Sequence, residues 1–479
     1  MGTRVLIVVF DGLRPDRVSA ASMPNLDRFR RTGFEVTESR CVFPSETRVN
    51  QASLVTGALP GRHGIRANAF VHRGAKVERL IDSGRFDSGA ADLIAVPTLG
   101  ERLAAAGRSL AVIGSGSPGG SRLLHHRAAA LGQINLSAHG AAASLTPDAA
   151  AAVVASIGPA PAAAIPNRAR NAWLTEAFIA CIAPRFDPDV AILWYAEPDL
   201  AYHYRGIASA EAAAALAHVD GEFGRLLAWR ETSGRGADLH LIALSDHGHA
   251  ATRGAPLGVA RRLSRAGFRI ARTPGEGGDA VLVPGRTATL HARDPETAAR
   301  LARWLSARPW CDAVVAAADG AFPPAALGLA GLPAADVVFT ADGDDRPGPG
   351  RVPGRCAHDN PTIPPGGGMH GGLGRFEMHN LLAMAGRRFR RGRSTLPAGI
   401  IDLAPTVLHL LGVAGEGFDG RVLGEALVDH DETPLAVTTH TVAAAGGGRV
   451  RLAEVGGARY LSAFHRPGAS PSRRAGGGE

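Results

Sequence analysis

Three apolar runs of this chain each end on a carboxylate or an imidazole. VLIVVF, residues 5–10, leads directly into Asp11-Gly12. The run 190–195 leads into Glu197-Pro198-Asp199, with His203 four residues beyond the aspartate. The run 239–245 leads into Asp246-His247-Gly248. In parallel α/β sheets the ligand crevice lies beyond the carboxyl ends of the strands. Asp199 and His203 face one point if the chain turns helically after Pro198. Gly248 supplies the freedom that lets adjacent Asp246 and His247 reach one ion. Each stretch alone also fits an Asx-turn or a helix cap; three together point to a convergent oxygen/nitrogen metal site. His370, within GGGMHGGLGRFEMHN, fits either that site or a glycine hinge with a surface histidine.

The hydroxyl candidates lie in CVFPSETRVNQASLVTG, residues 41–57. Thr47 falls where a loop passes into a helix, with Asn50 and Ser53 in the turns that follow. A hydroxyl there sits beside free backbone N–H groups at the positive end of the helix dipole, a cradle for phosphate. Threonine is a weak nucleophile at neutral pH, and metal coordination would activate it. A plain N-cap is the other reading, and Ser45 is the rival hydroxyl. Asn68 reads as a donor to a phosphate oxygen or as a turn residue.

The elements that must position these residues alternate. Strand candidates are 5–10, 109–114, 190–195 and 239–245, each nearly continuous in apolar residues, as expected where both sheet faces are covered. Helix candidates are 97–107, 171–183, 210–231 and 402–411, the last with Asp402 as its cap and Gly412 past its end. This predicts an α/β three-layer sandwich with a largely parallel central sheet. The core comprises 1–251 and 367–434. Between them, 252–366 reads as a small inserted α+β cap subdomain: a helix at 294–307, strands at 280–292 and 311–317, and a long Gly/Pro/Asp-rich loop at 341–368. Residues 435–463 read as a C-terminal β-hairpin and 464–479 as a disordered tail.

The chain has 479 residues, 45% hydrophobic and 20% charged, which argues against wholesale disorder. It carries 52 basic and 44 acidic residues, a net charge of +8. Lys76 is the sole lysine. An arginine bias beside 61 glycines reads as a coding habit rather than a surface for duplex nucleic acid. The apolar run at residues 5–10 is too short for a signal peptide. No stretch offers about 20 uninterrupted apolar residues, so no membrane span is expected. Cys41, Cys181, Cys311 and Cys356 form no CxxC pair, and widely spaced thiols fit a cytoplasmic protein.

Taken together, the motifs resemble the alkaline phosphatase superfamily, in its type I phosphodiesterase/nucleotide pyrophosphatase branch. The resemblance rests on Asp11-Gly12, Pro44-Ser-Glu-Thr47-Arg-Val-Asn50, Thr56-Gly57, His63-Gly-Ile65, Asn68, Glu197-Pro-Asp199 with His203, Ser245-Asp246-His247-Gly248 and His370-Gly371, in that order. It implies two zinc ions, with manganese or iron as alternatives by ligand type. Asp199, His203 and His370 would hold the first; Asp11, Asp246 and His247, with the Thr47 oxygen, the second. It further implies a Thr47 nucleophile, a phospho-threonine intermediate, and non-bridging oxygens held by Asn68 and the Arg48 N–H. The implied partner is a small phosphate- or phosphonate-bearing substrate. Arg48 stands where nucleotide-cleaving members carry an aromatic, which makes it a substrate-binding candidate for a second anionic group. A phosphonoacetate-type hydrolase is the nearest alternative, with Arg48 or Arg66 replacing the lysines that such enzymes use. A catalytically inactive phosphate-ligand binder is the alternative from another class. His249 reads as a residue that orients a ligand or as a surface turn, His63 as structural, and Cys356-Ala-His358-Asp359 as part of a loop.

Overall fold

Alternate residues of the first strand, Arg4–Phe10, enter two separate cores. Val5, Ile7 and Val9 join one, and Leu6, Val8 and Phe10 the other. A strand with both faces buried must be apolar at every position, which explains its unbroken run. The first core is closed by the helices Thr47–Thr56, Leu99–Ala105 and Leu403–Leu410. The second is closed by Pro24–Thr32, Pro147–Ile157, Arg168–Ala177 and Ala210–Thr232. The result is a helix–sheet–helix sandwich. The computed structural model describes residues 2–74, 78–82, 84, 93–234, 236–430 and 434–466. Lys76 and the segment 467–479 lie outside the described residues.

The central sheet has eight strands, in the order Gly392–Ser394, Phe34–Val36, Leu382–Ala385, Leu239–Leu244, Arg4–Phe10, Val190–Tyr195, Leu110–Gly114 and Ile134–Ser137. Of these only Leu382–Ala385 runs against the others. The strand Arg4–Phe10 lies between Val190–Tyr195 and Leu239–Leu244, paired parallel to both. All three acid-bearing strand ends therefore open at one edge.

Several local expectations need correction. The helix expected at 171–183 is Arg168–Ala177, continued as a wider π-type segment, Phe178–Phe186, that carries Pro184. Asp402 occupies the N-cap position of its helix as expected, but its carboxylate makes no cap bond there; it accepts from the N–H groups of Gly399 and Arg421 and from the Tyr460 hydroxyl. The run 280–292 is two antiparallel strands, Ala280–Val283 and Thr287–Ala292, in a five-stranded sheet packed against the helix Pro295–Ser306. The stretch expected as a loop at 341–368 forms the strands Gly343–Pro347, Pro353–Cys356 and Gly368–Met369. With Ala250–Thr252 these build a four-stranded sheet. Its turn-rich composition hides strands only two to five residues long. The C-terminal hairpin is instead a three-stranded meander, Val437–Ala443, Arg449–Val455 and Ala458–His465.

Candidate active site

Asp11 leaves the sheet at the end of its strand with Oδ2 accepting from Trp194 Nε1 at 2.9 Å. The next residue, Gly12, has φ +68°, and a Cβ there would stand 3.0 Å from the Asp199 side chain. Glycine is thus what lets the two carboxylates approach. The Gly12 N–H also donates to Asp246 Oδ1 at 3.1 Å. Asp199 and His203 occupy one face of the short helix Asp199–Arg205, with Asp199 Oδ1 and His203 Nε2 3.3 Å apart. Gly248 packs so closely under the Phe376 carbonyl that a Cβ would lie 2.0 Å from it. That contact fixes the turn carrying Asp246 and His247.

His370 arrives from the four-stranded sheet. Ala250 pairs with Met369, so the residues flanking that pair, His249 and His370, meet beside the strand ends. The His370 ring stacks on His247 at 3.7 Å and 16°. Thr47 is the first residue of its helix, Glu46 being the cap residue, so Thr47 is not the N-cap. Its Oγ1 lies 3.1 Å from His247 Nε2. The structure brings all six expected ligands and Thr47 together.

Proton positions follow from the acceptors. His203 Nδ1 donates to the Gly368 carbonyl at 2.8 Å, His370 Nδ1 to the Ser45 carbonyl at 2.8 Å, and His247 Nδ1 to the Gly248 carbonyl at 2.9 Å. A carbonyl only accepts, so each Nε2 of a neutral ring presents a lone pair. Nε2 of His203 and Nε2 of His370 nevertheless face each other at 3.1 Å. Asp11 Oδ1, Asp199 Oδ1 and Asp246 Oδ2 are buried without a hydrogen-bond partner. Buried acceptors left unpaired are costly unless a cation sits among them. Donor atoms of Asp199, His203, His249 and His370 fall within 4.8 Å of one another, as do those of Asp11, Asp199 and His247. Asp246 Oδ2 joins through His247 Nε2 at 3.1 Å. The arrangement fits bound metal.

The electrostatics agree. Burial and the Asp246 carboxylate push Asp11 well above the usual carboxylate range. Burial opposes a charged His247, but Asp246 and Asp11 outweigh it and raise the ring to about 10. Burial works against ionised Asp199, yet the imidazole of His203 holds it well below its ordinary value. Burial and His247 press His370 well below its ordinary value. The Asp11/Asp246 side is short of positive charge, the condition a bound cation relieves.

Sequence reasoning missed Glu46 and left His249 between orienting a ligand and lying on a surface turn. His249 is fully buried in the Asp199 cluster, not on a surface turn. Glu46 is buried beside Thr47, accepts from the Asn68 N–H, and is raised by burial to about 7. Two expected roles change. The Arg48 N–H donates to Asn68 Oδ1 at 2.9 Å, which leaves Asn68 Nδ2 as the donor for a ligand oxygen. The Arg48 guanidinium bonds the Asn68 carbonyl at 3.0 Å and Ser117 Oγ at 3.4 Å, so much of its hydrogen-bonding capacity is directed to the loop. Ser45 Oγ donates to Gly372 O and accepts from Gly371 N, and so shapes the His370 loop.

Glu46, Arg48, Asn68, His203, Arg286 and His370 line a cleft of about 240 Å³. A cavity of about 670 Å³ lies at the opposite end of the sheet, beside Ala385. Among the described residues its lining holds no histidine, whereas His203 and His370 line the smaller cleft.

A bis(5'-adenosyl)-triphosphatase of Xenopus laevis is 43% identical over 65 residues, 14% of this chain and 14% of that protein. The mouse protein of the same name is 39% identical over 67 residues, 14% and 15% of the two chains. The matched stretch thus spans about a seventh of these curated relatives. Murine ectonucleotide pyrophosphatase/phosphodiesterase 5, as an inactive form in complex with AMP, shares the fold at TM-score 0.60 and 19% identity, over 87% of this chain and 97% of that one. The human protein of that name superposes at TM-score 0.62 and 18% identity, over 89% and 100%. A family model described as type I phosphodiesterase / nucleotide pyrophosphatase matches residues 5–307. The chain belongs to that family, within the alkaline phosphatase superfamily.

Proposed function

We propose that this protein is a two-metal phosphodiesterase that uses Thr47 as its nucleophile. The observation that carries the reading is the approach of Thr47 Oγ1 to His247 Nε2 at 3.1 Å, where unpartnered carboxylate oxygens converge. Asp199, His203 and His370 would hold one divalent cation and Asp11, Asp246 and His247 the other, zinc by donor type. When bound, the pair supplies positive charge that lowers the Thr47 hydroxyl pKa and draws charge from the leaving oxygen.

The chain's own groups do the rest. The helix Thr47–Thr56 aims its amino end at the cleft and favours the phosphate charge. Asn50 accepts from the Val42 N–H and donates to the Glu46 carbonyl, which sets the loop carrying Thr47. Asn68 Nδ2 would donate to a non-bridging oxygen as charge develops there. Attack by Oγ1 forms the O–P bond of a phospho-threonine and breaks the bond from phosphorus to the leaving alkoxide. Water then cleaves the phospho-threonine and restores the hydroxyl.

The curated relatives are named as bis(5'-adenosyl)-triphosphatases, and a solved neighbour holds AMP, so a small nucleotide-like diester is the substrate class proposed. The phosphonate alternative needs a cation free to take a carboxylate. In the cleft, Arg286 is paired with Glu377 at 3.1 Å, which favours the diester. All four cysteines are unpaired and three are buried, which supports a reducing, cytoplasmic setting.

Rates on a nitrophenyl nucleotide diester, a simple diester, a monoester and phosphonoacetate, compared under matched conditions, test the reading. The diesters should turn over fastest. Turnover of phosphonoacetate alone would overturn it.

A further inference from the structure

We propose that His249 is a fourth protein ligand of the cation at the Asp199 site, completing a donor set of one carboxylate and three imidazoles. This rests on the two-metal reading above. His249 Nε2 stands 3.2 Å from Asp199 Oδ1, beside His203 Nε2 at 3.3 Å and His370 Nε2 at 3.5 Å from the same oxygen. The Nε2 atoms of His203 and His370 are 3.1 Å apart. Four donors at zinc–ligand distance around one tetrahedral ion stand about 3.3 Å from one another. The measured separations match that figure.

At 3.2 Å the His249 Nε2–Asp199 Oδ1 approach is short enough for a hydrogen bond but lacks its alignment. Neither ring nitrogen of His249 has a hydrogen-bond partner, and neither has Asp199 Oδ1, although the ring is fully buried. An unpaired buried imidazole beside an unpaired carboxylate oxygen is expensive unless both face a shared cation. The backbone makes room for the ring. A Cβ at Gly368 would stand 2.7 Å from His249 Nδ1, so only glycine admits the imidazole there. The strand pair Ala250–Met369 carries His249 to the side of His370. With four protein donors, this site would take a leaving oxygen only as a fifth ligand.

The test uses the full chain, stripped with a chelator and titrated with Zn²⁺, then with Co²⁺, against a chromophoric competitor. Wild type should take two ions. His249→Ala, with an unchanged circular dichroism spectrum, should bind one of them at least about tenfold more weakly. Its visible Co²⁺ absorption should shift as that of His370→Ala does. Two ions in wild type with an unshifted Co²⁺ spectrum in His249→Ala would overturn the proposal and leave the two-metal reading standing. That holds even if affinity falls, because the ring would then only orient Asp199. No ion in wild type would remove both.

Discussion

The two halves of the centre are built by different means. Asp11 and Asp246 project from adjacent parallel strands, tied to each other through the Gly12 N–H. Their half is rich in carboxylate and includes the Thr47 hydroxyl. The Asp199 half is rich in imidazole and draws on a helix of about two turns and a small sheet whose segments come from beyond residue 249. In the first half the sheet ladder holds the ligands at the fixed strand spacing. In the second, His370 depends on the Ser45 carbonyl and His203 on the Gly368 carbonyl. On the proposed mechanism, the carboxylate half would activate the Thr47 hydroxyl and the imidazole half would face the leaving oxygen.

The sharpest way to break this division is Thr47→Ala. Turnover of a nitrophenyl diester should fall by roughly 10⁴-fold or more with the metal content retained. Ser45→Ala should cost only about tenfold, because its hydroxyl orders the His370 loop. The reverse ranking in kcat would move the nucleophile.

Next in size are the ligand variants. Asp246→Ala and His370→Ala should each lower metal affinity by more than roughly 100-fold, in one half only. Metal analysis after dialysis should find about one ion per chain in each variant. Loss of both ions from either variant would show that the halves load as a unit.

Asn68→Ala should lower kcat by about 10²–10³-fold, the usual loss for one transition-state donor, with little change in KM. Arg48→Ala is among the smallest, about tenfold in kcat, acting through Asn68. The double variant should then be far from additive. A rise in KM with kcat preserved would instead put Arg48 on the substrate.

Asp11, Asp199 with His203, and Asp246 with His247 were legible because each follows a run that only a buried strand explains. Thr47 was legible as the hydroxyl at a helix start, though its place as first helical residue rather than cap needed coordinates. His370 had no strand before it in the pattern, since Gly368–Met369 is two residues long. Arg48 looked like an anion grip because a side chain's hydrogen-bond partners do not show in the sequence; Ser117 lies 69 residues away.

His249 marks where sequence reading ends. Sequence alone determined the alternation of buried strands and helices, the acids at the strand ends and the glycines that permit tight turns, because these depend on local burial and backbone freedom. Only the tertiary structure decided that Ala250 pairs with Met369, and hence that His249 lies beside His370. A register between segments more than 100 residues apart is set by packing the intervening chain, and no local pattern encodes it.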